Sequence, residues 1–325
     1  MNLNIITRSF SILTKIFSIL QKTPLNIPKK EEQQLIAELR ENITRLSAAH
    51  PSTGPSANEV WDDFSKRLRT LILNEDPRRF LQWKIIKQTM FASGWYCYSE
   101  LRYLRSQTEW SSRWKPGLQE GALGQPTPFP FYLQSSSNLI HHAYHIAQFE
   151  EKTGVRINNL NFIFEFGGGY GSLCRFIKKL AYGGPYVIYD LPEFSALQEF
   201  FLKGSNLPVG CFSEMSNSRD EIFLINRIQD LRLSLIHAST PSLFIATWSI
   251  SETPLKFREE ILDLTRSFDN FLIAYADTFG GVDNVTFFKE WSRSFGEEIT
   301  WFDWPIEHLP GNRYLIGMRK TTQNC

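Results

Sequence analysis

Cysteine is scarce in this chain: Cys97, Cys174, Cys211 and Cys325 are the only four in 325 residues, at no spacing that suits a metal or a redox pair. A disulfide scaffold is therefore not expected, and a reducing cytoplasm is the expected setting. No run of 18 apolar residues occurs, so no transmembrane helix is expected. Neither charge sign dominates. The 35 Lys and Arg against 34 Asp and Glu leave a net charge of +1, which argues against a dedicated nucleic-acid binder. Tandem repeats, low-complexity tracts and an H-E-x-x-H zinc motif are missing too. What is plentiful is apolar. Hydrophobic residues make up 42% and aromatics 14%, enough for a buried core and too apolar for a disordered chain. The length allows two domains, or one large domain with an extension.

Charge is unevenly placed. Residues 1–30 hold Arg8, Lys15, Lys22, Lys29 and Lys30 and no acid, so the remainder is net acidic. Within the first 20 residues Ile5, Ile6, Phe10, Ile12, Leu13, Ile16, Phe17 and Leu20 recur at helical spacing. Arg8 and Lys15 interrupt any signal-peptide core, and no A-x-A-like cleavage site follows. Residues 1–22 are thus expected to pack on the body or to contact a partner or an anionic membrane surface. A helix is expected over 31–48, a Pro/Gly/Ser linker over 50–58, and helices over 59–73 and 77–91, the last with Asp76 as N-cap and Pro77 at the first helical position. Residues 113–137 carry Pro116, Gly117, Gly121, Gly124, Pro126, Pro128 and Pro130, which forbid a long regular element. Phe129, Phe131 and Tyr132 argue against plain disorder there, so a lid is expected. Asn138 opens a helix that Gly154 ends. The expected division is a basic segment 1–30, a helical region 31–157 with the lid loop, and a domain over 158–325.

From residue 160 strands and helices alternate. Strands are expected at 161–167, 186–190, 221–226, 242–249 and 271–279, with helices between them and one over 284–294. This alternation marks an α/β fold with a doubly wound, mostly parallel, Rossmann-like sheet. The last two strands, 299–307 and 312–320, are joined only by HLPG, too short for a parallel crossover. The sheet is therefore expected to end in a hairpin with one reversed strand.

The sharpest motif is EFGGGYG, Glu165 to Gly171, between the first strand and its helix. Gly167, Gly169 and Gly171 permit positive φ and close approach of the backbone to a ligand, with a helix N-terminus behind them. Asp190 ends the next strand, 19 residues after Gly171. A carboxylate there can accept hydrogen bonds from both hydroxyls of a ribose. The dinucleotide fingerprint G-x-G-x-x-G would need glycine at 172, where serine stands. The spacing suits S-adenosyl-L-methionine, with Glu165 near its ammonium group and Tyr170, Leu191 and Trp248 beside it. An aromatic face favours a sulfonium cation.

The blocks EFGGGYGSLCRFIKKL and YVIYDLPEFSALQEFFL resemble the bacterial sugar O-methyltransferases, a branch of the class I S-adenosylmethionine-dependent methyltransferases. The resemblance continues through FIATWSISETP (244–254), HLPGNRYLIG (308–317), FLQWKIIKQTMF (80–91) and SSSNLIHHAYHIAQFEEKTG (135–154), and covers most of residues 75–320. It implies methyl transfer to a hydroxyl of a small-molecule or glycan acceptor, with Gly167, Gly169 and Gly171 at the cofactor and Asp190 on its ribose. Two rivals stand beside this reading: an NAD-dependent oxidoreductase, and a methyltransferase fold kept as a non-catalytic scaffold.

A protonated hydroxyl is a poor nucleophile, so a base is expected. Candidates are His308 in the terminal turn, Glu252 after the strand 242–249, and the cluster His141, His142 and His145, of which His145 is taken as the residue reaching the cleft. Glu252 has a competing role as an acid near a helix N-terminus. Asp277 and Asp283 flank the strand 271–279, but the preceding strand ends without an acid, so no metal is assigned.

Overall fold

The protein is described here by a computed structural model covering residues 25–49, 59–90, 94–217 and 220–320. The expected segment 1–22 and linker 50–58 lie outside the described residues. Five short runs rich in Phe, Ile, Val and Tyr pair in parallel: β1 (Phe162–Phe166), β2 (Tyr186–Tyr189), β3 (Ile222–Ile225), β4 (Ser242–Thr247) and β5 (Asn270–Ala276). Nearly every position in them is buried, as strands covered on both faces require. Two more complete the sheet, β6 (Ile299–Pro305) and β7 (Asn312–Arg319), in the order β6-β7-β5-β4-β1-β2-β3. β7 is antiparallel to both neighbours, with Asn312 opposite Ala276 and Ile299 opposite Arg319. It is the single reversed strand, so the expected α/β class and terminal hairpin are what the structure has.

Strand alternation sorts side chains into two cores. Ile163, Ile188, Ile245 and Leu272 face one layer, containing α5 (Ser137–Thr153), α6 (Ser172–Lys179) and α7 (Pro192–Gly204). Phe162, Phe164, Phe244 and Phe271 face the other, containing α8 (Ile228–Leu235), α9 (Leu255–Leu264) and α10 (Asn284–Arg293). The helices α1 (Lys30–Ala49) and α2 (Glu59–Asn74) extend the first core, into which they bury Leu39, Ile43, Leu68 and Ile72. The helical region thus packs on the sheet's own layer. No described helix is long and apolar enough to cross a membrane.

Three local departures from expectation bear on the site. The helix expected over 77–91 is broken into a 3-10 turn (Pro77–Gln82) and α3 (Lys84–Thr89), although Asp76 does cap it, accepting from the Arg78 amide at 2.9 Å. Phe80, Leu81, Ile85 and Ile86 are all buried. On one straight helix they would spread over about 240° of its circumference, more than a single face can bury. A helix not expected from sequence, α4 (Cys97–Ser106), buries Cys97, Leu101 and Leu104. The Pro/Gly-rich stretch is built rather than loose. It holds a hairpin (Pro128–Phe129 with Tyr132–Ser136), exchanges backbone hydrogen bonds between Gly124 and the pair Arg78 and Leu81, and pairs Glu120 with Arg175 at 2.7 Å.

Phe164 sits fully buried on β1, inside the sheet, so Phe164→Ala should cost about 3–5 kcal/mol of stability. Leu233→Ala, at a half-exposed site on α8, should stay within about 0.5 kcal/mol. Urea denaturation compares the two; similar losses would contradict the described core.

Candidate active site

The strand order reverses between β1 and β4, and a cavity of about 310 Å³ opens outside their carboxyl ends. That is where doubly wound sheets hold ligands. Gly167 follows β1 with φ of 72° and lies so near the β4 end that an added Cβ would fall 2.2 Å from that of Ser249. Only glycine fits both constraints. Gly169, at φ 59°, is covered by Met90, whose sulfur would lie 3.4 Å from an added Cβ.

Asp190 faces this loop. Its Oδ2 accepts from the Gly169 amide at 3.1 Å and from Gln198 Nε2 at 2.7 Å, while Oδ1 accepts from the Leu191 amide at 2.8 Å. Gln198 also donates to the Gly169 carbonyl at 2.9 Å, closing a triangle that holds the loop against the end of β2. Burial pushes the Asp190 carboxyl up to about 7 against the pull of these donors. Burial does the same to Glu165, also to about 7, opposed by the Tyr186 hydroxyl donating at 2.7 Å and reinforced by Asp190. Glu252 is a third case at about 7, raised by burial and opposed by a hydrogen bond with Trp61. The cap of α9 is Pro254, with no side-chain bond, so Glu252 does not cap that helix. All three carboxyls line one cavity, and no Lys or Arg among the described residues lines it. Such a cavity favours a cation or an uncharged ligand.

The opposite wall is aromatic. Trp248 follows β4 at a φ of 63°, a strained conformation for a bulky residue. Its Nε1 donates to Asn312 Oδ1 at 2.6 Å, which joins the wall to the first residue of β7. Because β7 is reversed, the terminal turn lies at the carboxyl ends of the parallel strands, and its Leu309 lines the cavity. His141 stacks on Trp248, with ring centroids 5.3 Å apart. His141 and His142 line the cavity, whereas His145 does not. His145 is fully buried behind them, with Nδ1 on the Tyr314 hydroxyl, and burial holds its pKa well below the usual imidazole range. The expectation that His145 reaches the cleft is corrected on this point: helical spacing placed it on the right face, but one turn too deep.

His308 reaches instead to Glu100, its Nε2 lying 2.8 Å from Oε1, the same oxygen that His141 Nδ1 approaches at 2.7 Å. Burial alone would raise the Glu100 carboxyl, but the two imidazoles outweigh it and hold it below the usual carboxylate range. Glu100 escaped the sequence reading because no element was expected at 97–106. The signal was present: an acid at the centre of the apolar stripe formed by Cys97, Leu101 and Leu104.

Of the remaining expected residues, Gly171 is the N-cap of α6 and Leu191 lines the cavity. Tyr170 also lines it, but its ring is edge-packed between Phe80 and Phe201 and its hydroxyl is bonded by Asn138 at 2.9 Å, so its ring serves the core. The 113–137 stretch contributes no lining residue, and the edge expected of it is formed by Gln88, Thr89, Met90 and Tyr96. Asp283 is an exposed N-cap of α10, accepting from Thr286. Among the described residues no group of three or more His, Cys, Asp or Glu is placed to hold a metal.

No protein-family model matches this chain, and no curated protein matches its sequence. Solved structures similar to parts of it include precorrin-6y C5,15-methyltransferase from Geobacter metallireducens, at 14% identity and TM-score 0.37, over 55% of this chain and 87% of that one. An O-methyltransferase family protein from Burkholderia thailandensis is similar at 7% identity and TM-score 0.38, over 57% of this chain and 60% of that one. The glycopeptide N-methyltransferase MtfA is similar at 12% identity and TM-score 0.36, over 54% and 94%. The fold assignment rests on the strand order and the one reversed strand, not on these likenesses.

Glu165 takes up a proton on folding that the unfolded chain, with an ordinary carboxyl, does not hold between about pH 4.5 and 7. Its contribution to stability is therefore full in acid and is lost as pH rises through about 7. Glu165→Gln should melt a few degrees above the parent at pH 8 and level with it at pH 5, by calorimetric scans. An equal gap at both pH values would contradict the buried carboxyl.

Proposed function

We propose that the protein is an S-adenosyl-L-methionine-dependent O-methyltransferase whose acceptor is an uncharged hydroxyl compound, a sugar or glycan. The observation that carries this reading is the facing pair of glycine loop and Asp190 in a cavity at the sheet's switch point, lined, among the described residues, by three carboxyls and by no Lys or Arg. The residues present fit the cofactor. The α6 amides behind Gly171 suit its carboxylate, Glu165 its ammonium, and Asp190 its ribose hydroxyls, by an exchange or addition of hydrogen bonds. The net positive charge of the cofactor suits carboxyls that burial otherwise neutralises. When bound, it supplies a methyl group on a sulfonium centre. The protein's part is to align an acceptor oxygen with that methyl, and such alignment can remove about 7–11 kcal/mol of a barrier.

The same charges weigh against the oxidoreductase reading. A dinucleotide's pyrophosphate would enter a cavity ringed by Glu165, Asp190 and Glu252 with no basic side chain among the described lining residues. They weigh equally against phosphate-rich acceptors at the reacting point. Against the scaffold reading stands an open cavity in which the glycine cradle is preserved. The sugar assignment is supported by the sequence blocks 80–91, 135–154, 244–254 and 308–317. Scarce, unpatterned cysteine supports the proposal of a cytoplasmic setting, and residues 1–22 remain the proposed site of a peripheral membrane or partner contact.

Titration calorimetry with S-adenosylhomocysteine tests the cofactor. The protein should bind it, and Asp190→Ala should weaken binding at least about tenfold, as loss of hydrogen bonds to a charged group predicts. No heat of binding at millimolar ligand would overturn the reading.

A further inference from the structure

We infer that His141 is the base that deprotonates the acceptor hydroxyl, with Glu100 orienting it and His308 fixing Glu100 in place. The inference rests on the methyl-transfer reading and adds residues to it: Glu100, on α4, and His141, on α5.

The geometry leaves little freedom. Glu100 is fully buried, and its Oε1 lies 2.7 Å from His141 Nδ1 and 2.8 Å from His308 Nε2. An ionised carboxylate only accepts hydrogen bonds, so both ring nitrogens must carry protons. Neutral His141 is thereby the Nδ1–H tautomer, and its lone pair sits on Nε2, on a ring that lines the cavity and stacks on Trp248. His308 is turned the other way. It spends its Nε2 proton on Glu100, which makes it a positioning residue, not the base expected from sequence.

Glu100 is the acid in contact with His141; His308 faces the same oxygen, and Glu165, Asp190 and Glu252 line the cavity that His141 also lines. On its own helix stand His142, His145 and Tyr144, with burial holding His142 at about 3 and His145 well below the usual range, so both stay neutral. Tyr96 precedes α4, Cys97 opens it, Tyr314 lies on β7, and burial raises all three, keeping them neutral as well. An imidazolium formed at His141 is therefore stabilised by Glu100, the logic by which a buried carboxylate serves a catalytic histidine. In the step, the acceptor oxygen bonds to the methyl carbon as the carbon–sulfur bond breaks, with its electron pair going to sulfur. The acceptor's proton moves to His141 Nε2 and later leaves to solvent.

Long-range proton–nitrogen NMR of the full chain labelled in histidine tests this without an acceptor, the six histidines being assigned by single His→Gln changes. Near neutral pH, His141 should show a proton on Nδ1 and none on Nε2. In Glu100→Ala the preference for the Nδ1–H tautomer should relax toward that of an ordinary imidazole, as loss of the acceptor beside Nδ1 predicts, whereas His308→Gln should leave it in place. A proton on Nε2 of neutral His141, or a tautomer preference that ignores Glu100→Ala, would overturn the inference. If that variant fails to fold, the tautomer in the parent protein still decides. Calorimetry with S-adenosylhomocysteine separates the two claims: these variants should bind it within about twofold of the parent. Absence of binding by the parent itself would remove the methyl-transfer reading whatever the tautomer shows.

Discussion

Gln198, Asp190 and Gly169 form a closed set of hydrogen bonds between α7, the end of β2 and the loop after β1. The loop after β1 could take many shapes, since its glycines restrict it so little. The triangle selects one, in which the loop amide turns toward a carboxylate and the α6 N-terminus opens on the same space. Because β4 leaves β1 on the side away from β2, nothing from the sheet fills that space. Topology makes the opening, and the triangle decides what lines it.

The cost of this arrangement is electrostatic. Three carboxyls are drawn out of water around one opening with no cation beside them among the described lining residues, and each is pushed toward neutrality. Such costs are tolerated where a ligand later offsets them. On the acceptor side the balance differs, since Glu100 keeps its charge through two imidazoles. The Glu100–His308 contact ties α4 to the terminal turn, and Trp248 on Asn312 ties the end of β4 to the reversed strand. Elements far apart in sequence are thus held in one wall.

Sequence showed the parts whose cause is local. The glycine spacing, the acid at the end of the second strand and the four-residue link between the last strands are each decided within a few residues, and they fix the sheet and its cleft. What sequence hid depends on packing between distant segments. Burial of Phe80, Leu81, Ile85 and Ile86 broke a helix that propensity alone would continue. Helical spacing put His141 and His145 on one face but could not say which lies nearer the opening. Glu100 reads as a lone acid until α4, α5 and the terminal turn are brought together. The Pro/Gly-rich stretch looked like a lid because loops so often are, yet its aromatic residues and Glu120 anchor it as a brace.

A crystal structure of the chain with S-adenosylhomocysteine tests the central claim most directly. The account predicts the nucleoside between Gly169 and Asp190, with the sulfur toward Trp248 and His141. Density for the ligand elsewhere on the protein, with the glycine loop and Asp190 untouched, would contradict it.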